Sequence, residues 1–385
     1  MGDGMSLFGR IMLCSVLLMA GTPAIAQTSP DCPAPAKLDD GWATARPQEQ
    51  GLDPKLICGI GARLSGWKDA DVHAIVIVRH GALVYEQYFA GEDQNWGKRL
   101  GRVAYDATMV HDLRSVTKSL TSLVVGIALE RGWIKSLDAP VLSFFPDYVD
   151  LRSPEKDRIT LQHLLMMSTG LEWDETIPYS NPENSENKLY EAADPYRFVL
   201  ERPVAEPPGT VFNYVTGAPT LIGAVLHKAT GKQIDQLEQQ VLFDPLGIKQ
   251  AEWTHFDNGD TMAGGGLRLR PRDLAKIGQL VLAHGMWNGQ QIVPAAWIEA
   301  STKPRLNAYG MYFYGYYWWL GRSLFDGRQI DWIAGRGYGG QRLIIVPSED
   351  MVMVVMAGRY DTSSLQEIAS LSVLNRAVLP ATRKQ

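Results

Sequence analysis

Leu113-Arg114-Ser115-Val116-Thr117-Lys118-Ser119-Leu120-Thr121-Ser122-Leu123-Val124-Val125-Gly126-Ile127 joins a Ser-x-x-Lys tetrapeptide directly to an apolar run. Leu120, Leu123, Val124 and Ile127 recur at helical spacing, so the run reads as a buried helix opened by Ser115. A lysine three residues after a serine on a helix lies on the same face, one turn away. The start of the helix adds the positive end of its dipole, which favours negative charge developing there. One turn of chain thus offers a nucleophile, a group to take its proton and a backbone N–H for an oxyanion.

The tetrapeptide alone is weak evidence, because it recurs at Ser65/Lys68, Ser153/Lys156 and Ser185/Lys188. Ser65 ends a helix, Ser153 precedes Pro154 in a charged loop, and Ser185 sits in a polar stretch. Only Ser115 opens a long apolar helix. A tyrosine to exchange protons with Ser115 has two candidates. Tyr179-Ser180-Asn181 lies before Pro182 in a polar loop, whereas Tyr214-Val215-Thr216 follows Pro208-Gly209 and leads into the helix-like run Leu221 to Thr230. A group held between a turn and a buried helix is better fixed than one on a loop. Tyr214 is therefore preferred.

Outward from this centre, Asp53-Pro54 caps a helix to about Ser65. His73 to Val78 and Leu83 to Tyr88 form a hairpin through His80-Gly81. Leu137 to about Phe256 reads as mostly helical, broken by polar loops such as Pro178 to Asn187, and Pro271 to His284 as a further helix. Four strand-like runs follow, Tyr316–Leu320, Arg328–Ile333, Arg342–Val346 and Met351–Met356, and Ser364 to Ala377 closes as a helix. An isolated hairpin is marginal, so the N-terminal one is expected to pair with the C-terminal meander in a five- or six-stranded sheet. The fold class is α+β: an antiparallel sheet flanked by helices, with an all-helical lobe, roughly 137–256, inserted in a hydrolase domain spanning 53–380. A site is expected in the cleft between lobes.

Residues 1–26 read as a leader. Arg10 precedes the apolar run Ile11 to Ala20, and Ala24-Ile25-Ala26 gives a cleavage pattern after Ala26. The run is shorter than the roughly 20 residues a bilayer span needs. A periplasmic or secreted protein, not inserted in the membrane once the leader is cut, is expected, with 27–52 a Pro-rich N-terminal segment. A formal charge of −5 without basic blocks argues against nucleic acid. Of the three cysteines, Cys32 and Cys58 remain after cleavage. On the helix after Asp53-Pro54, Leu56, Ile57, Ile60 and Leu64 define the apolar face, and Cys58 falls nearly opposite, beside Gly61, Ala62 and Ser65. A Cys32–Cys58 disulfide stapling the N-terminal segment to this helix is expected.

From Asp112 to Met356 the chain resembles the serine β-lactamase-related family, which includes DD-peptidases, class VIII-type esterases and 6-aminohexanoate-dimer hydrolases. The resemblance is carried by Leu113 to Ser119, Leu137-Asp138-Ala139-Pro140-Val141, Ile159 to Leu165 and Ser168-Thr169-Gly170-Leu171. It continues through Pro208-Gly209-Thr210 before Tyr214, Asp244 to Ile248 and Gly264-Gly265-Gly266-Leu267. It implies a penicillin-binding-protein-like fold and catalysis by Ser115, Lys118 and Tyr214. The family's third element, a strand with Lys- or His-x-Gly, matches Ala334 to Gln341. That stretch also fits Gly-x-Gly-x-x-Gly, but the strand Leu343 to Val346 follows where a dinucleotide site needs a helix. The resemblance makes an N–H near Tyr338 the second oxyanion donor, with Gly337, Arg336 and Thr216 toward the substrate. Tyr179 offers a hydrogen bond to an amide substrate.

Two departures stand out. Thr216 replaces an asparagine, and no Lys or His precedes Gly337. Both positions normally help hold a β-lactam, which argues against antibiotic hydrolysis, and the Trp173-Asp174-Glu175 loop and the Gly337-Tyr338-Gly339-Gly340-Gln341 strand look more like the esterase and 6-aminohexanoate-dimer hydrolase branch. The expected partner is a small ester, amide or peptide. DD-peptidase or β-lactamase activity is the alternative, and a non-hydrolytic peptidoglycan- or ligand-binding module is the rival from another class. No Gly-x-Ser-x-Gly elbow and no zinc-type His/Cys spacing is present, so no metal or cofactor is expected, and His111 and His163 are read as structural.

Overall fold

The protein is described here from a computed structural model, which covers Met1, residues 32–360 and residues 365–382. The expected leader lies outside the described residues, as does Ser364. The centre of the fold is a nine-stranded sheet. Its strands in chain order are β1 (Ala43–Thr44), β2 (Val72–Arg79), β3 (Ala82–Tyr88), β4 (Leu306–Asn307), β5 (Phe313–Tyr314), β6 (Trp319–Phe325), β7 (Arg328–Gly337), β8 (Gln341–Val346) and β9 (Met351–Ala357). Across the sheet the order is β1-β3-β2-β9-β8-β7-β6-β5-β4. The pair β1–β3 is parallel and every other pair is antiparallel.

Both chain ends build this sheet, as the sequence predicts, through the pairing of β2 with β9 from Arg79↔Met351 onward. All eight residues of β2 and all seven of β9 are buried. Strands covered on both faces have no polar alternation to keep, hence their unbroken Val/Ile/Met runs. Alternation along β3 shows the two covers. Tyr85 and Gln87 face Gly61 of helix α1 (Pro54–Ser65), where any Cβ would stand 2.7 Å from the Gln87 amide oxygen. Glu86 points the other way, to Arg272 at 3.2 Å. Arg272 is followed on its own helix by Gly278, which lies against Val352 and Leu343 of the sheet.

The sheet is wider than the five or six strands expected, because two-residue pieces at 43–44, 306–307 and 313–314 extend its edges. Strands that short carry too few side chains to show a period. The run placed at Tyr316–Leu320 is a strand only from Trp319, and β7 continues past Ile333 to Gly337. The hairpin Ala90–Asn95/Lys98–Ala104 was not foreseen, since its residues are mostly polar. In the inserted lobe, helices at Leu161–Leu165, Ser185–Glu191, Pro195–Leu200, Gly217–Thr230 and Ile234–Glu238 are separated by turns and loops. The lobe is not purely helical: Ala251–Trp253 is a strand paired with Leu267–Leu269. The closing helix begins at Ile368, later than expected, and runs with a π-helical turn to Ala381.

Cys32 and Cys58 are bridged, with Cα atoms 5.9 Å apart, and Cys32 is buried. The bridge closes a loop of 26 residues in separation. Replacing both cysteines by serine is expected to lower the unfolding free energy by about 3 kcal/mol, read as a lower urea midpoint with a steeper slope, since the unbridged chain unfolds to a more open state. An unchanged midpoint would show that the staple carries no stability.

Candidate active site

Ser115 sits in a single 3₁₀ turn, Arg114–Val116, from which helix α2 (Thr117–Glu130) continues. Arg114 has φ +50°. A left-handed conformation costs a side-chain-bearing residue roughly 1–2 kcal/mol, so its surroundings must hold it. They do. Its guanidinium meets Asp112 at 3.2 Å and lies between the rings of Trp96, at 4.5 Å, and Tyr360, at 5.3 Å. Asp112 in turn takes the Trp96 N–H at 2.9 Å and Arg268 at 2.8 Å. The Ser115 turn is clamped from the residue before it.

Lys118, 1% exposed, places Nζ 2.8 Å from the Ser115 hydroxyl and donates to the Gly264 carbonyl at 2.7 Å. Burial lowers the Lys118 pKa from its ordinary value, partly offset by the nearby carboxyls of Glu186 and Glu175. Tyr214 also hydrogen-bonds to Ser115, and its ring centroid lies 5.1 Å from the lysine nitrogen. Burial raises the Tyr214 pKa, opposed first by the Ser115 hydrogen bond, so this tyrosine stays a neutral phenol. A deprotonable amine and a neutral phenol on one serine hydroxyl form a chain along which a proton can pass.

Strand β7 closes the site at a distance that only glycine permits. A Cβ on Gly337 would stand 2.3 Å from the Leu113 carbonyl oxygen and 3.2 Å from the Arg114 Cβ. One on Gly335 would stand 2.9 Å from Val116. Between these glycines, Arg336 turns its guanidinium to Glu367 at 3.1 Å, within 4.6 Å of the Trp319 ring centroid. Tyr338 donates its hydroxyl to the Tyr360 carbonyl and sets its ring edge-to-face on Tyr179, centroids 4.7 Å apart.

A pocket of about 1050 Å³ lies over this arrangement, lined among others by Ser115, Tyr214, Tyr179, Arg336, Gly337 and Tyr338. Thr216 is not on its wall. It is buried, donating its hydroxyl to Glu175 at 2.9 Å and its N–H at 2.5 Å, so it orders the chain beyond Tyr214 rather than facing a substrate. Tyr179 does reach the pocket, but its hydroxyl is donated to Glu186 and is not presented to a substrate amide.

Sequence reasoning assigns no role to the acidic pair Glu175 and Glu186. Both carboxyls line the pocket, and Glu186 accepts the hydroxyls of Tyr179 and Tyr190. Burial and the Glu186 charge push the Glu175 pKa up to about 8, against the pull of Lys118, the Thr216 N–H and the Trp173 indole. The tyrosines at 179 and 190, flanking Glu186, were the available signal that this polar stretch is not a solvated loop.

The sequence pattern of the Beta-lactamase family matches residues 69–373. The chain is 23% identical over 361 residues to the 6-aminohexanoate-dimer hydrolase of Paenarthrobacter ureafaciens, covering 87% of this chain and 82% of that one. It is 29% identical over 194 residues to the lovastatin esterase of Penicillium rubens, 45% of this chain and 46% of that one. A solved Bacillus anthracis chain, assigned provisionally as a 6-aminohexanoate-dimer hydrolase, shares the fold at a TM-score of 0.66, with 22% identity over 80% of this chain and 79% of its own. With the match running from the first strand of the central hairpin into the closing helix, this chain belongs to the Beta-lactamase family.

Proposed function

We propose that this chain is an exported serine hydrolase that cleaves a small carboxylic ester or amide through an acyl-enzyme on Ser115. The observation that carries the reading is the buried Lys118 amine 2.8 Å from the hydroxyl of Ser115, a residue that lines the pocket. Lys118, its pKa depressed by burial, accepts the serine proton as Oγ attacks the carbonyl carbon. The tetrahedral oxyanion is held by the N–H groups of Ser115 and Tyr338, the donors we assign. Tyr214, kept as a phenol, hands a proton to the departing alkoxide or amine and is reprotonated from Lys118. Water then attacks the acyl-enzyme by the reverse relay. The relatives named as hydrolase and esterase support this class of reaction. Export is supported by the leader-like N-terminus and by the Cys32–Cys58 bridge, which persists in an oxidising compartment.

A fluorophosphonate is expected to add one label to the wild-type chain by intact mass and none to Ser115→Ala. Equal labelling of the two would remove Ser115 from the mechanism. The variant's ester turnover should fall by several powers of ten.

The pH profile carries the lysine assignment. Activity needs the neutral amine, so kcat/KM rises with pH through the Lys118 pKa, and burial places that limb below the ordinary lysine value of 10.5. A limb at or above 10.5 sinks the assignment of Lys118 as base. Lys118→Arg, which cannot deprotonate, is expected to show no limb and almost no turnover.

Thr216 is committed to Glu175, and Arg336 to Glu367 and Trp319. Short p-nitrophenyl esters are therefore expected to turn over and nitrocefin scarcely at all. Efficient nitrocefin hydrolysis would reverse this ranking.

A further inference from the structure

Behind the nucleophile turn lies a second cluster of chemical groups that the proposed hydrolysis does not use. His73 on β2, Asp93 on the Ala90–Asn95 strand and His111 on the His111–Asp112 strand are all buried, at 0%, 6% and 1% exposure. One ligand atom from each falls within 4.8 Å of the others. His73 Nδ1 is 2.9 Å from His111 Nε2, which is 3.6 Å from Asp93 Oδ2.

With both imidazoles neutral, the protons of this cluster do not add up. The nearest polar partner of His111 Nδ1 is the Asp112 carbonyl, at 3.0 Å, which can only accept. That fixes the ring proton on Nδ1 and leaves Nε2 a lone pair. His73 Nε2 has the Asp71 carboxylate at 3.5 Å and no other hydrogen-bond partner. Gly91 closes that edge: a Cβ there would stand 2.3 Å from Nε2. A neutral His73 therefore carries its proton on Nε2, toward Asp71, and turns the Nδ1 lone pair to His111. Two imidazole lone pairs and a carboxylate then converge with nothing positive between them. Among the described residues, neither Asp71 nor Asp93 forms an ion pair with a lysine or arginine. A cation at the centre would satisfy all three groups, as would a second proton on His73, donated from Nδ1 to His111 Nε2.

We propose that His73 Nδ1, His111 Nε2 and Asp93 bind a divalent transition-metal ion of the zinc type. Two imidazole nitrogens and one carboxylate oxygen are a donor set for such ions. Both nitrogens at about 2.1 Å from a tetrahedral ion stand about 3.4 Å apart, so the site opens by a few tenths of an ångström on binding. The outer groups suit a metal as well. The Asp112 carbonyl and the Asp71 carboxylate receive the two remaining ring protons, and the Tyr105 hydroxyl is donated to Asp93. The ion would join three separate strands, one of which enters Arg114-Ser115 two residues later. Its place is behind the catalytic turn, and its role is to brace that turn rather than to touch substrate.

The full-length protein, produced in zinc-supplemented medium and dialysed against a weak chelator, is the test material. Elemental analysis is expected to find about one zinc per wild-type chain, and less than about a tenth in His73→Gln or Asp93→Asn. Wild-type protein made with cobalt should show the visible d–d bands of a tetrahedral cobalt site, a readout that does not depend on the variants folding. A wild-type chain free of zinc and colourless with cobalt overturns the proposal and leaves the three atoms sharing a proton. Variants that fold and keep the full zinc content overturn it too. Neither outcome bears on Ser115, whose labelling by fluorophosphonate is read separately.

Discussion

Strand β7 lies on the Ser115 turn with no room for a side chain between them, and most of the site follows from that contact. At Gly337 a methyl group would meet the Leu113 carbonyl at 2.3 Å. The strand can come so close only where it lacks a Cβ, and in doing so it brings Arg336 and Tyr338 to the pocket rim together. The turn must also be rigid, or the gap would vary. Arg114 is held in a left-handed conformation by Asp112, Trp96 and Tyr360, so that rigidity is maintained against backbone strain.

The second constraint is electrostatic. Burying an ammonium is costly, and the protein resolves the cost at Lys118 by favouring the neutral amine. Glu175 and Glu186 work against this, since each negative charge near the lysine favours its protonated form. Burial moderates the conflict by also holding Glu175 in its neutral form up to about pH 8. The lobe thus sets an acidic counterweight beside the amine, and Thr216 and Trp173 fix where it stands.

Much of this was legible in the sequence where one element carries its own signal. The Ser115/Lys118 spacing, the apolar period of α2 and the hydrophobic runs of β2 and β9 are local patterns. The choice of Tyr214 over Tyr179 also rested on local context, the Pro208-Gly209 turn before a buried helix. What was hidden depends on which face a residue turns to a distant partner. Thr216 looks like a wall residue because it follows Tyr214 closely, yet it points inward to Glu175, across a separation of 41 residues. Glu186 sits in a stretch polar enough to read as solvated, and only its packing against Tyr179 and Tyr190 reveals burial. His73, Asp93 and His111 lie on three strands with no characteristic spacing, so no linear pattern announces their convergence.

The pairing of β2 with β9 sets the order of events during synthesis. Val72–Arg79 leaves the ribosome long before Met351–Ala357 exists, so the strand at the heart of the sheet waits for nearly the whole chain. Closing so long a loop is entropically slow, and although the hairpin with β3 covers one edge of this strand, the other edge of a run with six apolar residues in eight stays unpaired meanwhile. The last strand to be made completes the first half of the sheet. Until then that open edge is a template on which another chain could pair.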